Sequence, residues 1–191
     1  MSDWMTEQVR DHGRAAADLE RQLDQVREVA IVIERAFAEG GKLWTFGNGG
    51  SAADAQHFTG ELIGHYRHDR PPLPAVTLST DPTAMTCIAN DYSYADVFSR
   101  QVTALAQPGD VVAAFTTSGR SSNIVDGLAA AKAAGATTVL FGGGEGGPAK
   151  EFADFSLLSP STVTPRIQEL HTLMLHLISE HLDNVAAGVA A

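Results

Sequence analysis

Residues 43–61 read LWTFGNGGSAADAQHFTGE and hold three kinds of local structure in one short stretch. Leu43-Trp44-Thr45-Phe46 is a short apolar run of the strand type, closed by glycine. Gly47-Asn48-Gly49-Gly50-Ser51 is a turn whose glycines let a ligand approach the backbone. The helix that follows points its free N–H groups at an anion held there. That helix carries His57 and Glu61 at i and i+4, on one face and within one turn of each other.

The pattern repeats outward from this unit. Short β-rich runs, LWTF, AVTLS, DVVAAFT, TTVLFG and DFSLLS, alternate with helical stretches near 51–64, 82–90, 95–106, 121–134 and 165–183. Strands that read as continuous apolar runs are buried on both faces, and their alternation with helices implies right-handed βαβ crossovers. The spacing therefore predicts an α/β three-layer sandwich around a five-stranded parallel sheet, with functional residues at the carboxyl ends of the strands. Residues 3–38 read as helix, stopped by Gly40-Gly41 and broken or bent at Gly13. The organisation expected is one domain over 1–191, with an N-terminal helical segment at 1–39, an α/β core and terminal helix over 43–183, and a frayed AAGVAA tail.

Composition narrows the class. A chain of 191 residues with 44% apolar and 19% charged residues is long enough to bury a core and is neither disordered nor fibrous. Thirteen Lys and Arg against 23 Asp and Glu give a formal charge of -10 with no basic patch, which argues against broad contact with a nucleic-acid backbone. A single cysteine, Cys87, leaves no disulfide framework and fits a reducing compartment. Uncharged stretches fall short of the ~18 residues a bilayer span requires, and MSDWMTEQVRDHGR has no apolar signal core. A soluble cytoplasmic protein is expected.

A second loop follows the third strand, Thr116-Thr117-Ser118-Gly119-Arg120-Ser121-Ser122. Its hydroxyls, at a strand-to-helix junction, suit a phosphate or a sugar; a serine there also serves as an ordinary helix cap. Gly47-x-Gly49-x-x-Ala52 matches the relaxed dinucleotide fingerprint. That site also needs an acid closing the second strand about twenty residues on, whereas the second strand ends Leu78-Ser79-Thr80 with Asp81 beyond it. A nicotinamide enzyme is therefore disfavoured.

His57 and Glu61 suit a divalent metal or an acid–base couple, and equally an ordinary surface pair. The last helix sets Gln168, His171 and His176 among leucines. From Gln168, His171 lies about 60° round one way and His176 about 80° the other and two turns along, so spacing does not select between the histidines.

GNGGSAADAQHF..E, then AND at 89–91, TTSGRSSN, and RIQELH....H together resemble the phosphoheptose isomerase group of the sugar isomerase (SIS) domain family, from about Val29 to His181. The resemblance implies a homotetramer converting sedoheptulose 7-phosphate to a D-glycero-heptose 7-phosphate. It makes Asn48, Gly49, Gly50, Ser51, Asn90 and Asp91 substrate contacts, and Thr116, Thr117, Ser118 and Ser121 the phosphate loop. It makes His57, Glu61, Gln168 and His176 ligands of one zinc ion per subunit, with Glu61 and Gln168 also meeting substrate, and so selects His176 over His171. Glu61 is then the candidate base and His176 the candidate acid for moving a proton between C1 and C2 through an enediol. Groups bound to zinc have engaged lone pairs, so the ion can instead serve to polarise the carbonyl. Arg120 stands where many relatives have Asn, and Pro165 where an acid is frequent. A non-catalytic relative that binds the bacterial replication initiator is similar in the glycine loop and RIQE but lacks the acid and histidine matching Glu61 and His176. An isomerase of another phosphosugar is the remaining alternative. The apolar faces of the helix at 15–38 and of the terminal helix are expected to bury against copies of the same chain.

Overall fold

A computed structural model describes residues 3–189. Two helical stretches open the chain, α1 (Trp4–Leu19) and α2 (Leu23–Ala38), joined by a 3-10 turn at Glu20–Gln22. The core follows as β1 (Leu43–Gly47), α3 (Gly50–Ile63), β2 (Ala75–Thr77), α4 (Pro82–Asp91), α5 (Ser99–Leu105), β3 (Val111–Phe115), α6 (Ser122–Ala133), β4 (Thr137–Gly143), β5 (Phe155–Ser159) and α7 (Thr164–Ala186). The five strands are all parallel in the order β2-β1-β3-β4-β5.

Both faces of the sheet are covered, which explains the unbroken apolar runs. Leu43, Val111, Ala113, Phe115, Val139 and Phe141 face α2, α3 and α7 in one core cluster. Trp44, Phe46, Val112, Ala114 and Leu140 face α5 and α6 in the other. The order reverses between β1 and β3, so the crevice beyond their carboxyl ends is the ligand position of an open sheet.

Three expectations need correction. Gly13 does not break α1, which runs through it; the interruption comes at Glu20–Gln22 instead. One glycine costs an exposed helix only about 1 kcal/mol, less than the helix gains by packing Ala15 and Leu19. The helix expected over 95–106 is limited to Ser99–Leu105, because Tyr94–Asp96 forms a separate 3-10 turn capped by the Ser93 hydroxyl. The apolar faces of α2 and α7, assigned above to neighbouring copies, largely cover each other and the sheet, through Val29, Ile33, Met174, Leu175 and Ile178. Trp4, Met5 and Val9 of α1 are the large apolar residues of that helix left exposed. The tail turns at Gly188 (φ 70°), and its last two residues lie outside the described range.

Candidate active site

The loop after β1 and the loop after β3 meet across the crevice. Asn48 and Asn123 exchange two amide hydrogen bonds, both 2.9 Å, and the Tyr94 hydroxyl donates to Asn48 Oδ1 at 2.9 Å. The second loop is braced from within: Thr116 Oγ1 accepts from the Gly119 N–H at 3.1 Å, and Ser118 Oγ accepts from that of Arg120 at 3.3 Å. Gly119, at φ 64°, lies so close to the 144–147 loop that a Cβ would stand 1.8 Å from the Gly146 carbonyl oxygen. Ser121 occupies the N-cap position of α6, yet its side chain makes no capping bond. Its hydroxyl is free for another acceptor, and the ordinary helix-cap account of this serine fails.

The α3 helix is pinned to the sheet by a buried hydroxyl cluster. Thr77 Oγ1 donates to Thr59 Oγ1 at 2.7 Å, and Thr45 Oγ1 lies 3.0 and 2.9 Å from the hydroxyls of Thr59 and Thr77. With its register fixed, α3 presents His57 and Glu61 towards α7. His57 Nε2 lies 3.0 Å from Glu61 Oε1 and 3.2 Å from His176 Nε2. The ligand atoms of the three residues all fall within 4.8 Å of one another. One ring nitrogen of His57 faces two partners, and carries either one proton or one lone pair, so it cannot satisfy both at once. Two imidazole nitrogens and a carboxylate converging in this way fit a borderline divalent cation such as zinc. Burial, and then the charge of His57, push the His176 pKa down, with Glu61 opposing; this favours the neutral ring that a metal ligand or proton acceptor needs. Tyr66 walls the cluster, its ring 5.6 Å from that of His176.

The other expected residues separate into groups. Gln168 lies over the first turn of α3, its amide nitrogen 2.5 Å from where a Gly50 Cβ would stand; this explains a glycine at that position. No hydrogen bond joins Gln168 to the three clustered residues. Ser51 is buried, its N–H donating to the Asn48 carbonyl at 3.0 Å. Asn90 and Asp91 end α4, exposed and bonded to each other at 2.8 Å. Of the two histidines left open by spacing, His171 is the core residue: it is fully buried, donates to the Gly142 carbonyl at 3.1 Å, and meets Phe115 and Phe141 edge-on.

Asn123 and Tyr94 were missed. Asn123 was visible as the last residue of TTSGRSSN; Tyr94 had no local signal, because its partner is 46 residues away. In the RIQE motif, Arg166 pairs with Glu169 and donates to the Gln8 carbonyl at 2.8 Å, so these two residues tie α7 to α1 rather than serving the cluster. A separate polar cavity of about 890 Å³, lined by Gln22, Lys150, Ser159 and Ser161 among others, shares no residue with this site.

Comparison with known proteins gives the class first. The SIS domain model matches residues 9–143, and the chain belongs to that family. Its relatives there are phosphoheptose isomerases. The chain is 43% identical to the phosphoheptose isomerase of Trichlorobacter lovleyi, over 100% of this chain and 98% of that one. It is 48% identical to a probable phosphoheptose isomerase of Thermoplasma acidophilum, over 88% and 93%. Among solved structures, a phosphoheptose isomerase from Francisella tularensis superposes with a TM-score of 0.93 at 30% identity, covering 96% of this chain and 100% of that one.

Proposed function

We propose that this protein is an aldose–ketose isomerase that converts sedoheptulose 7-phosphate to D-glycero-D-heptose 7-phosphate through an enediol. The observation that carries the proposal is the convergence of Glu61 with His57 and His176, from the two helices α3 and α7. Close relatives named phosphoheptose isomerase over nearly the whole chain support it. A scaffold that only binds a protein partner has no use for this cluster, which disfavours the initiator-binding alternative.

In the mechanism proposed, the free hydroxyl of Ser121, with Thr116, Thr117 and Ser118, holds the phosphate end at the start of α6. Asn48, Gly49, Gly50, Ser51, Asn90 and Asp91 orient the sugar, and binding energy from the remote phosphate fixes the reacting carbons. Glu61 takes the proton from C1 and returns it to C2, while His176 as the acid gives a proton to the C2 carbonyl oxygen and recovers one from the C1 hydroxyl, each contributing on the order of a hundredfold or more. His57, Glu61 and His176 would hold a zinc ion, with Gln168 as a fourth ligand or a substrate contact, and the ion when bound supplies a Lewis acid for the carbonyl oxygen. We extend the proposal to a cytoplasmic homotetramer; the exposed Trp4, Met5 and Val9 offer an apolar surface for a neighbouring copy. Among the described residues no helix is long and apolar enough to cross a membrane.

Proton NMR of the protein with sedoheptulose 7-phosphate in deuterated buffer tests this. A new aldose anomeric signal with deuterium at C2, lost in Glu61→Gln and His176→Gln and dependent on added zinc, is the expected result. No exchange by zinc-supplied wild type would sink the heptose assignment and turn attention to other phosphosugars.

A further inference from the structure

Arg70 and Asp183 form the most thoroughly buried ion pair of the described residues, with side chains 0% and 1% exposed and Nε–Oδ1 at 2.9 Å. Taking two charges out of water costs several kcal/mol per ion, repaid only when every polar valence is engaged. Here the engagement is nearly complete. The Asp183 carboxylate accepts the N–H groups of Tyr66, Arg67 and His68 at 3.2, 3.0 and 2.8 Å. Arg70 Nη1 donates to the carbonyls of Leu62 and Pro71 at 2.7 and 3.0 Å, and Nη2 to the carbonyl of Glu61 at 2.8 Å. Although burial opposes it, these donors hold the Asp183 carboxyl below its ordinary pKa. An apolar pair of similar volume would stabilise a core as well. What the ion pair adds is geometry.

That geometry is centred on the candidate site. The carbonyls of Glu61 and Leu62 belong to the last turn of α3, which has no basic residue of its own, and the Arg70 guanidinium caps them. Asp183 lies two turns beyond His176 on α7. One buried pair thus fastens the end of the helix that carries Glu61 to the helix that carries His176. The three N–H bonds to Asp183 also fix residues 66–68 and with them the Tyr66 ring beside His176.

We propose that Arg70 and Asp183 are positioning residues that set the separation of Glu61 from His176 without touching substrate. This rests on the acid–base reading of those two groups. Arg70→Lys keeps the charge facing Asp183 but loses the fork that grips the two carbonyls. Measured per folded molecule, below its melting transition, it should lower kcat at least tenfold and leave KM within twofold, because the phosphate loop lies elsewhere. In a double-mutant cycle, adding Arg70→Lys to Glu61→Gln should cost little beyond Glu61→Gln alone, since a misplaced base that is already absent cannot be lost again.

A purely structural role predicts instead full kcat in the folded fraction, or losses that add, and either result overturns the proposal. If Arg70→Lys does not fold, Asp183→Asn carries the same cycle; if neither folds, the pair is a determinant of the fold and the proposal fails. Full activity of Glu61→Gln would remove the acid–base reading itself, whereas an inactive Glu61→Gln beside a fully active Arg70→Lys would remove only the positioning role.

Discussion

His171 and His176 sit five residues apart on α7, both among leucines, and α7 turns one into the core and leaves the other partly exposed. His171 has no exposed surface, bonds a strand carbonyl and packs against two phenylalanine rings. His176 is half-buried and meets another imidazole and comes within ligand reach of a carboxylate. The residue type is the same and so is the helix. What differs is the surroundings: His171 is sealed between the carboxyl end of β4 and the buried Asp54 of α3, whereas His176 meets the exposed His57 further along the same helix. The second nitrogen of His171 is also unpaired, but it is closed into the core beside Asp54, whereas the open nitrogen of His176 can be reached by a ligand.

Substitution at His171 is the strongest way to break this contrast. His171→Leu leaves the Gly142 carbonyl without its partner and should cost about 1–3 kcal/mol of stability, read from urea unfolding, while kcat per folded molecule stays within a few-fold of wild type. The reverse is expected of His176→Gln, whose isomerase activity falls on the order of a hundredfold or more with little change in unfolding. A His171→Leu protein that is stable but inactive would show that the buried ring serves the chemistry, and the two histidines would no longer be opposites.

The two serines at positions 118 and 121 sharpen the contrast at another place. Ser118 braces its own loop, while the Ser121 hydroxyl, at a helix N-cap, makes no cap. Loss of a working cap costs about 0.5–2 kcal/mol. Ser121→Ala should therefore leave the melting temperature unchanged and raise KM about tenfold, the effect of losing roughly one hydrogen bond to a charged group. Steady-state kinetics and a thermal melt on the same sample separate the outcomes; a lowered melting temperature with unchanged KM would return Ser121 to the role of an ordinary cap.

Much of this was legible in the chain. The central strands β1, β3 and β4 read as apolar runs because both sheet faces are covered there, and both glycine- and hydroxyl-rich loops end up at the switch point. His57 and Glu61 were legible because an i, i+4 spacing fixes a shared face without knowledge of anything else. The rest depended on contacts between distant segments. Spacing along α7 could not say which histidine would join His57 and Glu61, and nothing near Tyr94 announces Asn48. Arg70 and Asp183 are 113 residues apart, so their pairing was equally silent.

Gly13 shows the same limit on a smaller scale, and gives the smallest expected effect. A glycine in a helical run reads as a break, but α1 continues through it, and a Cβ placed there would meet nothing within 4 Å. Gly13→Ala should therefore stabilise the protein by about 0.5–1 kcal/mol, because alanine loses less backbone freedom on folding and nothing in the fold resists it. Urea unfolding measures the change. If the substitution destabilises instead, another surface must pack against that face of α1 in solution. The neighbour expected from the exposed Trp4, Met5 and Val9 on the same helix is a second copy of the chain, so a sign reversal at Gly13 that disappears on dilution would mark α1 as part of the subunit interface.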